Sequence, residues 1–141
     1  MIKIVNIIPY LLVSNGKEAI SLYKRIFNAK LIEHRPLTLE MGKSMGFPED
    51  FDYENSTMHA VMEIGGAKLY LADNNQNTKD YGHVEITLEL DTKDQINDIY
   101  HKAMDNESKA LLELMEQDWG WYGRIKDKFG VVWQLNFIKS S

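Results

Sequence analysis

The sequence predicts an α+β protein built from two βαβββ modules with mixed sheets. Three observations carry this. The same order of elements runs twice, over about 1–73 and about 83–138. Each half holds one amphipathic helix between strands. Each half also closes on a hairpin around a glycine, and the polar stretch 74–82 (Asn74, Asn75, Gln76, Asn77, Thr78, Lys79, Asp80) reads as the linker between them.

In the first half, residues 3–13 are dense in Ile, Val and Leu and stop at Ser14-Asn15-Gly16, a turn that can also cap a helix. Ala19, Ile20, Tyr23, Ile26 and Phe27 then recur at helical spacing, predicting a helix over about 16–27. Asn28 can end it, because asparagine tolerates the left-handed conformation of a C-terminal cap. A strand is expected at about 29–37. Residues 38–57, with glycines, Pro48 and the acidic group Glu49, Asp50, Asp52 and Glu54, read as a long loop. MHAVMEIGGAKLYLAD is a hairpin turning at Gly65-Gly66.

In the second half, residues 83–91 alternate strictly. Val84, Ile86, Leu88 and Leu90 point toward the helix side, and His83, Glu85, Thr87 and Glu89 point away. Asp91 or Thr92 caps a helix with Ile96, Ile99, Tyr100 and Ala103 on one face, ended by Asp105-Asn106. A strand at about 109–115 precedes a hairpin that turns at Asp127-Lys128-Phe129-Gly130. In its last strand Val131, Trp133, Leu135 and Phe137 oppose Val132, Gln134 and Asn136. A helix covers one face of each sheet, so the other face either meets solvent or encloses a ligand.

The 141 residues suit one compact domain, and 44% hydrophobic content allows a sizeable core. A net charge of −5 without a basic stripe argues against nucleic acid and anionic membranes as partners. The absence of cysteine excludes disulfides, thiolate metal sites and a cysteine nucleophile, and fits the cytoplasm. The N-terminus lacks the charge pattern and cleavage site of a signal peptide. No apolar run approaches the roughly 18 residues of a membrane span.

The helix ending Leu22-Tyr23-Lys24-Arg25-Ile26-Phe27-Asn28-Ala29, the Met58–Asp73 hairpin and above all Gly123-Arg124-Ile125-Lys126-Asp127-Lys128-Phe129-Gly130-Val131-Val132-Trp133-Gln134-Leu135 resemble one family. It is the PhnB-like branch of the glyoxalase/bleomycin-resistance/dioxygenase (vicinal oxygen chelate) superfamily, whose members often carry a demethylubiquinone methyltransferase-like label. Asn28 and Lys128 stand where the family often has Gly and Pro, and both suit turns. The resemblance implies a single domain over 1–141, an open mixed-sheet barrel of paired modules, a small-molecule ligand inside it and commonly a homodimer.

In metal-dependent members a divalent ion is held by His or Glu from the first and last strands of each module. The corresponding positions here are Ile8, Tyr70, Glu85 and Gln134. Ile8 has no donor, Tyr70 is a poor ligand while its phenol is protonated, Gln134 offers one neutral oxygen, and only Glu85 is a good hard-cation ligand. A complete metal site is therefore disfavoured, and no cofactor is expected. A slip of two residues would exchange Glu85 for His83 without completing the set.

Two function classes stay open. One is a non-catalytic binder of a small molecule. The other is a lyase, isomerase or dioxygenase-type enzyme, metal-dependent or using Glu85 as a general base with a carboxyl tuned toward neutrality. Against the base stands an ion pair of Glu85 with Lys68 or a nearby arginine. Lys68, Tyr70, Glu85 and Gln134 are expected around one cavity. Trp119 and Trp121, with Tyr122, are either packing residues or a stacking wall for a planar ligand. His34, His59, His83 and His101 show no ligand spacing; His59 and His83 are the better candidates for the cavity rim. The acidic residues 49–54 lack calcium-loop spacing, and no glycine-rich nucleotide turn supports methyl transfer.

Overall fold

The structure is a computed structural model that describes residues 6, 8–74 and 84–139. The chain divides into two compact units. The first is Met1–Lys24 with Asn28–Asn77, and the second is Thr78–Ser141 with Arg25–Phe27. Each holds one four-stranded mixed sheet built in βαβββ order.

In the first unit the elements are β1 (Tyr10–Val13), α1 (Gly16–Phe27), β2 (Lys30–Arg35), α2 (Leu39–Ser44), β3 (His59–Ile64) and β4 (Ala67–Asp73). The sheet order is β1-β4-β3-β2, with β1 and β4 parallel and the other pairs antiparallel. The helix starts where the Asn15 side chain accepts from the Glu18 amide at 3.1 Å, and it ends at Asn28 with φ of 55°. Local capping chemistry alone places both ends. Gly65 and Gly66 both have positive φ, as a two-residue hairpin turn with the sheet's own twist requires. Leu11, Val13, Ala60, Met62, Leu69 and Leu71 make one face of the sheet apolar and buried.

In the second unit the elements are β5 (Ile86–Glu89), α3 (Lys93–Asp105), β6 (Lys109–Gln117), β7 (Gly120–Lys126) and β8 (Val132–Ile138). The order β5-β8-β7-β6 repeats the first sheet's topology strand for strand. Thr92 caps α3 by accepting from the Gln95 amide at 3.1 Å, and Ile96 and Ala103 are buried. Trp133, Leu135 and Ile125 form the buried face.

Three expectations need correction. The segment 38–57 is not a plain loop, because Thr38 caps the short helix α2 through the Met41 amide. Downstream, the rings of Phe47, Phe51 and Tyr53 pack edge to face, and Ser56 Oγ ties Leu37 to Tyr53. Val84 does not turn toward the helix side: β5 begins only at Ile86, and Val84 is 86% exposed. Among the described residues the strands expected at 3–13, 29–37 and 83–91 are shorter, running over Tyr10–Val13, Lys30–Arg35 and Ile86–Glu89. Part of the first, His83 and the linker lie outside the described residues. Among the described residues no helix is long and apolar enough to cross a membrane.

Candidate functional site

Period-two alternation on β1 sends Leu11 and Val13 into the core and leaves Tyr10 and Leu12 on the opposite face. The parallel register sets Tyr10 beside Tyr70 and Leu12 beside Ala72. A cavity of about 300 Å³ opens on this face within the first unit. Its walls are Leu12, Leu37, Met45, Phe47, Met58 and Ala72, with Tyr10, Thr57, Asp73 and Asn74 supplying polar atoms. The segment after β2 supplies much of the wall, so the packing that orders it also shapes the cavity.

Asp73 braces one end. Its two carboxylate oxygens accept from the Gly16 amide at 2.6 Å and the Thr57 amide at 2.7 Å. A side chain at position 16 would collide with Thr57, which is why glycine opens the helix there. Next to it, His34 Nε2 lies 3.0 Å from Thr57 Oγ1. Burial, and then the charge of Lys17, push the His34 imidazole below its ordinary range, so it stays neutral near pH 7.

Tyr10 joins the cavity to an aromatic cluster. Its hydroxyl lies 3.1 Å from His59 Nδ1, and its ring stands edge-on to Tyr70 with centroids 5.7 Å apart. His59 and Tyr70 are 4.8 Å apart, also edge to face. The arrangement offers ring faces for a planar ligand and a hydroxyl–imidazole pair for hydrogen bonding. Lys68, on the same strand face as Tyr70, is exposed.

The second unit carries a different polar face. Thr87 pairs with Gln134, and Gln134 with Arg124, so three strands put these side chains in one row. Glu85, just before β5, joins them. Arg124 donates Nε to Glu85 Oε1 at 2.9 Å and Nη2 to Oε2 at 2.6 Å. Gln134 Nε2 donates to Oε1 at 3.1 Å, while the Thr87 hydroxyl lies 3.5 Å from Gln134 Oε1. The Arg124 and Gln134 bonds hold the Glu85 carboxyl below its usual range. A base tuned toward neutrality needs the opposite direction, so the geometry gives Glu85 the ion pair with an arginine. Lys68 is not its partner.

Trp121 is half-buried beneath the Lys93 ammonium, 4.9 Å from the ring centroid, and Trp119 is 46% exposed with its ring 6.1 Å from that of Tyr122. His101 lies exposed on α3. Glu49 pairs with Lys43 and Asp52 with Asn55, all at the surface. Among the described residues no group of three His, Asp or Glu side chains converges. Of the positions Ile8, Tyr70, Glu85 and Gln134, Glu85 supplies the one carboxylate, and both its oxygens accept from the Arg124 guanidinium. Tyr10, Leu12, Thr57 and Asp73 had no role in the sequence reading, which placed Thr87 only on a strand's polar face and did not name Arg124 as the arginine beside Glu85. Arg124 could have been found from its alternation with the apolar Ile125, but its partner depends on register.

A family model described as 3-demethylubiquinone-9 3-methyltransferase matches residues 3–136. The chain is 27% identical to Protein YjdN of Escherichia coli (strain K12) over 93% of this chain and 94% of that protein. Among solved structures it resembles a putative 3-demethylubiquinone-9 3-methyltransferase, the PhnB protein of Bacillus cereus. There the identity is 19% and the TM-score 0.73, covering 94% of this chain and 98% of that one. It also resembles a glyoxylase/bleomycin resistance protein/dioxygenase domain from Frankia sp. EAN1pec. The identity is 10% and the TM-score 0.72, over 99% and 96% of the two chains. At these identities the structural likenesses show the fold.

Proposed function

We propose, from the premise that the chain belongs to the PhnB-like 3-demethylubiquinone-9 3-methyltransferase family, that it is a small-molecule-binding protein of the glyoxalase/bleomycin-resistance type. The observation that carries this is the 300 Å³ cavity of the first unit, mostly apolar with a few polar groups, within the size range of small-ligand sites. Tyr10, His59 and Tyr70 add stacking faces at its edge, which favours a ligand with a planar, largely apolar body. Lys68 and Tyr70 in the first unit, Glu85 and Gln134 in the second, and Trp119 and Trp121 are the further candidate ligand contacts. We also assign the chain a homodimeric, cytoplasmic existence, on the family resemblance and the cysteine-free composition.

The reading extends to binding and not to methyl transfer. Both sheets are mixed and four-stranded, and neither is a doubly wound parallel sheet with a glycine-rich first turn. A second reading, a metal-free enzyme, is favoured only by the Tyr10–His59 pair, whose imidazole could exchange a proton with a bound substrate.

The test is native mass spectrometry of protein purified without chelators, followed by a thermal-shift screen of aromatic small molecules. Leu12→Trp, which fills the cavity from an exposed position, is expected to abolish ligand retention while leaving the apo melting temperature nearly unchanged. Tyr70→Ala is expected to weaken the same hits. Ligands that bind the native chain and both variants equally would reject the site.

A further inference from the structure

The family resemblance puts Glu85 and Gln134 among the donors of a divalent cation, yet in this chain Glu85 is committed to Arg124 and Gln134, and Gln134 to Glu85 and Thr87. Oε1 of Glu85 accepts from Arg124 Nε and Gln134 Nε2, and Oε2 accepts from Arg124 Nη2. Gln134 turns its amide nitrogen, which cannot bind a metal, toward the carboxylate, and its oxygen toward Thr87. The pair is partly shielded, with side-chain exposures of 33% for Arg124 and 21% for Glu85.

We infer that the Arg124 guanidinium is a resident organic cation that stands in for a divalent ion at the Glu85–Gln134 positions and excludes one. The chemistry is consistent at each atom. A guanidinium matches a carboxylate with two parallel N–H bonds, which a metal would have to break before reaching the oxygens. It stays protonated at every physiological pH, so its charge depends on neither metal supply nor acidity. Glu85 neutralises it, so the pair carries no net charge and gives a dianionic ligand little attraction. Among the described residues nothing accepts from Nη1, and its two N–H groups are what a ligand oxygen would meet. A neutral carbonyl, amide or hydroxyl oxygen suits them. The inference rests on the donor positions of the second unit and not on the cavity of the first, so either can fail without the other.

The experiment is Mn(II) titration of the full chain, followed by electron paramagnetic resonance of the free ion. A unit positive charge beside a carboxylate opposes the approach of a second cation. Arg124→Ala is therefore expected to bind Mn(II) at least about ten-fold more tightly than the native chain, and the gain should vanish in Arg124→Ala/Glu85→Gln. Arg124→Met, which retains an apolar stem, serves if alanine unfolds the chain by far-UV circular dichroism. Stoichiometric binding by the native chain with no gain in either variant would overturn the inference. So would a gain that survives Glu85→Gln.

Discussion

Asp127→Asn probes how the last hairpin holds Arg124 and Gln134 side by side. Asp127 is 4% exposed and sits in the turn between their strands. Its Oδ1 accepts from the Phe129 amide at 2.9 Å and the Val131 amide at 3.0 Å, and its Oδ2 accepts from the Trp133 indole at 2.9 Å. Asparagine has the same shape but only one acceptor oxygen. If that oxygen serves the two amides, its NH₂ group faces the indole N–H donor to donor, and a buried donor goes unsatisfied. That costs about 1–3 kcal/mol. Asp127→Ala removes these acceptances, and a loss of roughly 3–5 kcal/mol is expected from charge-assisted bonds that do not add fully. Urea unfolding followed by far-UV circular dichroism measures both. Trp133→Phe completes a double-mutant cycle, in which the Asp127→Asn penalty should shrink by about 1 kcal/mol or more once the indole N–H is gone. A penalty under about 0.5 kcal/mol, the size of an ordinary surface substitution, or a cycle with no coupling would refute this account of the turn.

Gly120 has φ of 158°, and a Cβ there would overlap the carbonyl oxygen of Phe137 on the paired strand. Gly120→Ala is therefore expected to cost about 3 kcal/mol or more in the same unfolding assay. The hydroxyl of Ser108 is buried, with no hydrogen-bond partner among the described residues. Ser108→Ala should be neutral or stabilising by up to about 1 kcal/mol, and a clear loss would reveal a partner. The folded Glu85 carboxyl lies below its usual value, so its ion pair stabilises above the unfolded carboxyl's pKa, near 4.3, and fades as pH falls through the lower folded value. Arg124→Gln should lose that extra acid-side stability, flattening the pH dependence of the melting temperature below about pH 4.5. An unchanged profile would show that the pair is not formed in solution.

Both long helices were legible in the sequence to within about a residue because their ends are set within one turn. Asn15, Asn28 and Thr92 each act on amides or carbonyls a few positions away. The Gly65-Gly66 hairpin was legible for the same reason, and strand alternation separated the buried Trp133 and Leu135 from Gln134. The short helix α2 also begins at a capping threonine, but glycines and acidic residues around it hid the signal. What stayed hidden was which polar side chains meet. Glu85 and Arg124 are 39 positions apart, and Tyr10 and His59 are 49 apart. Alternation says which face a residue takes, while only inter-strand register says which residue stands beside it. Hydrophobic pattern and capping therefore determined the order of elements and their buried faces. Tertiary structure alone decided that the sole good carboxylate of a metal-type donor set would be answered by a guanidinium, because the strand carrying Arg124 reaches Glu85 only after β5, β8 and β7 have paired.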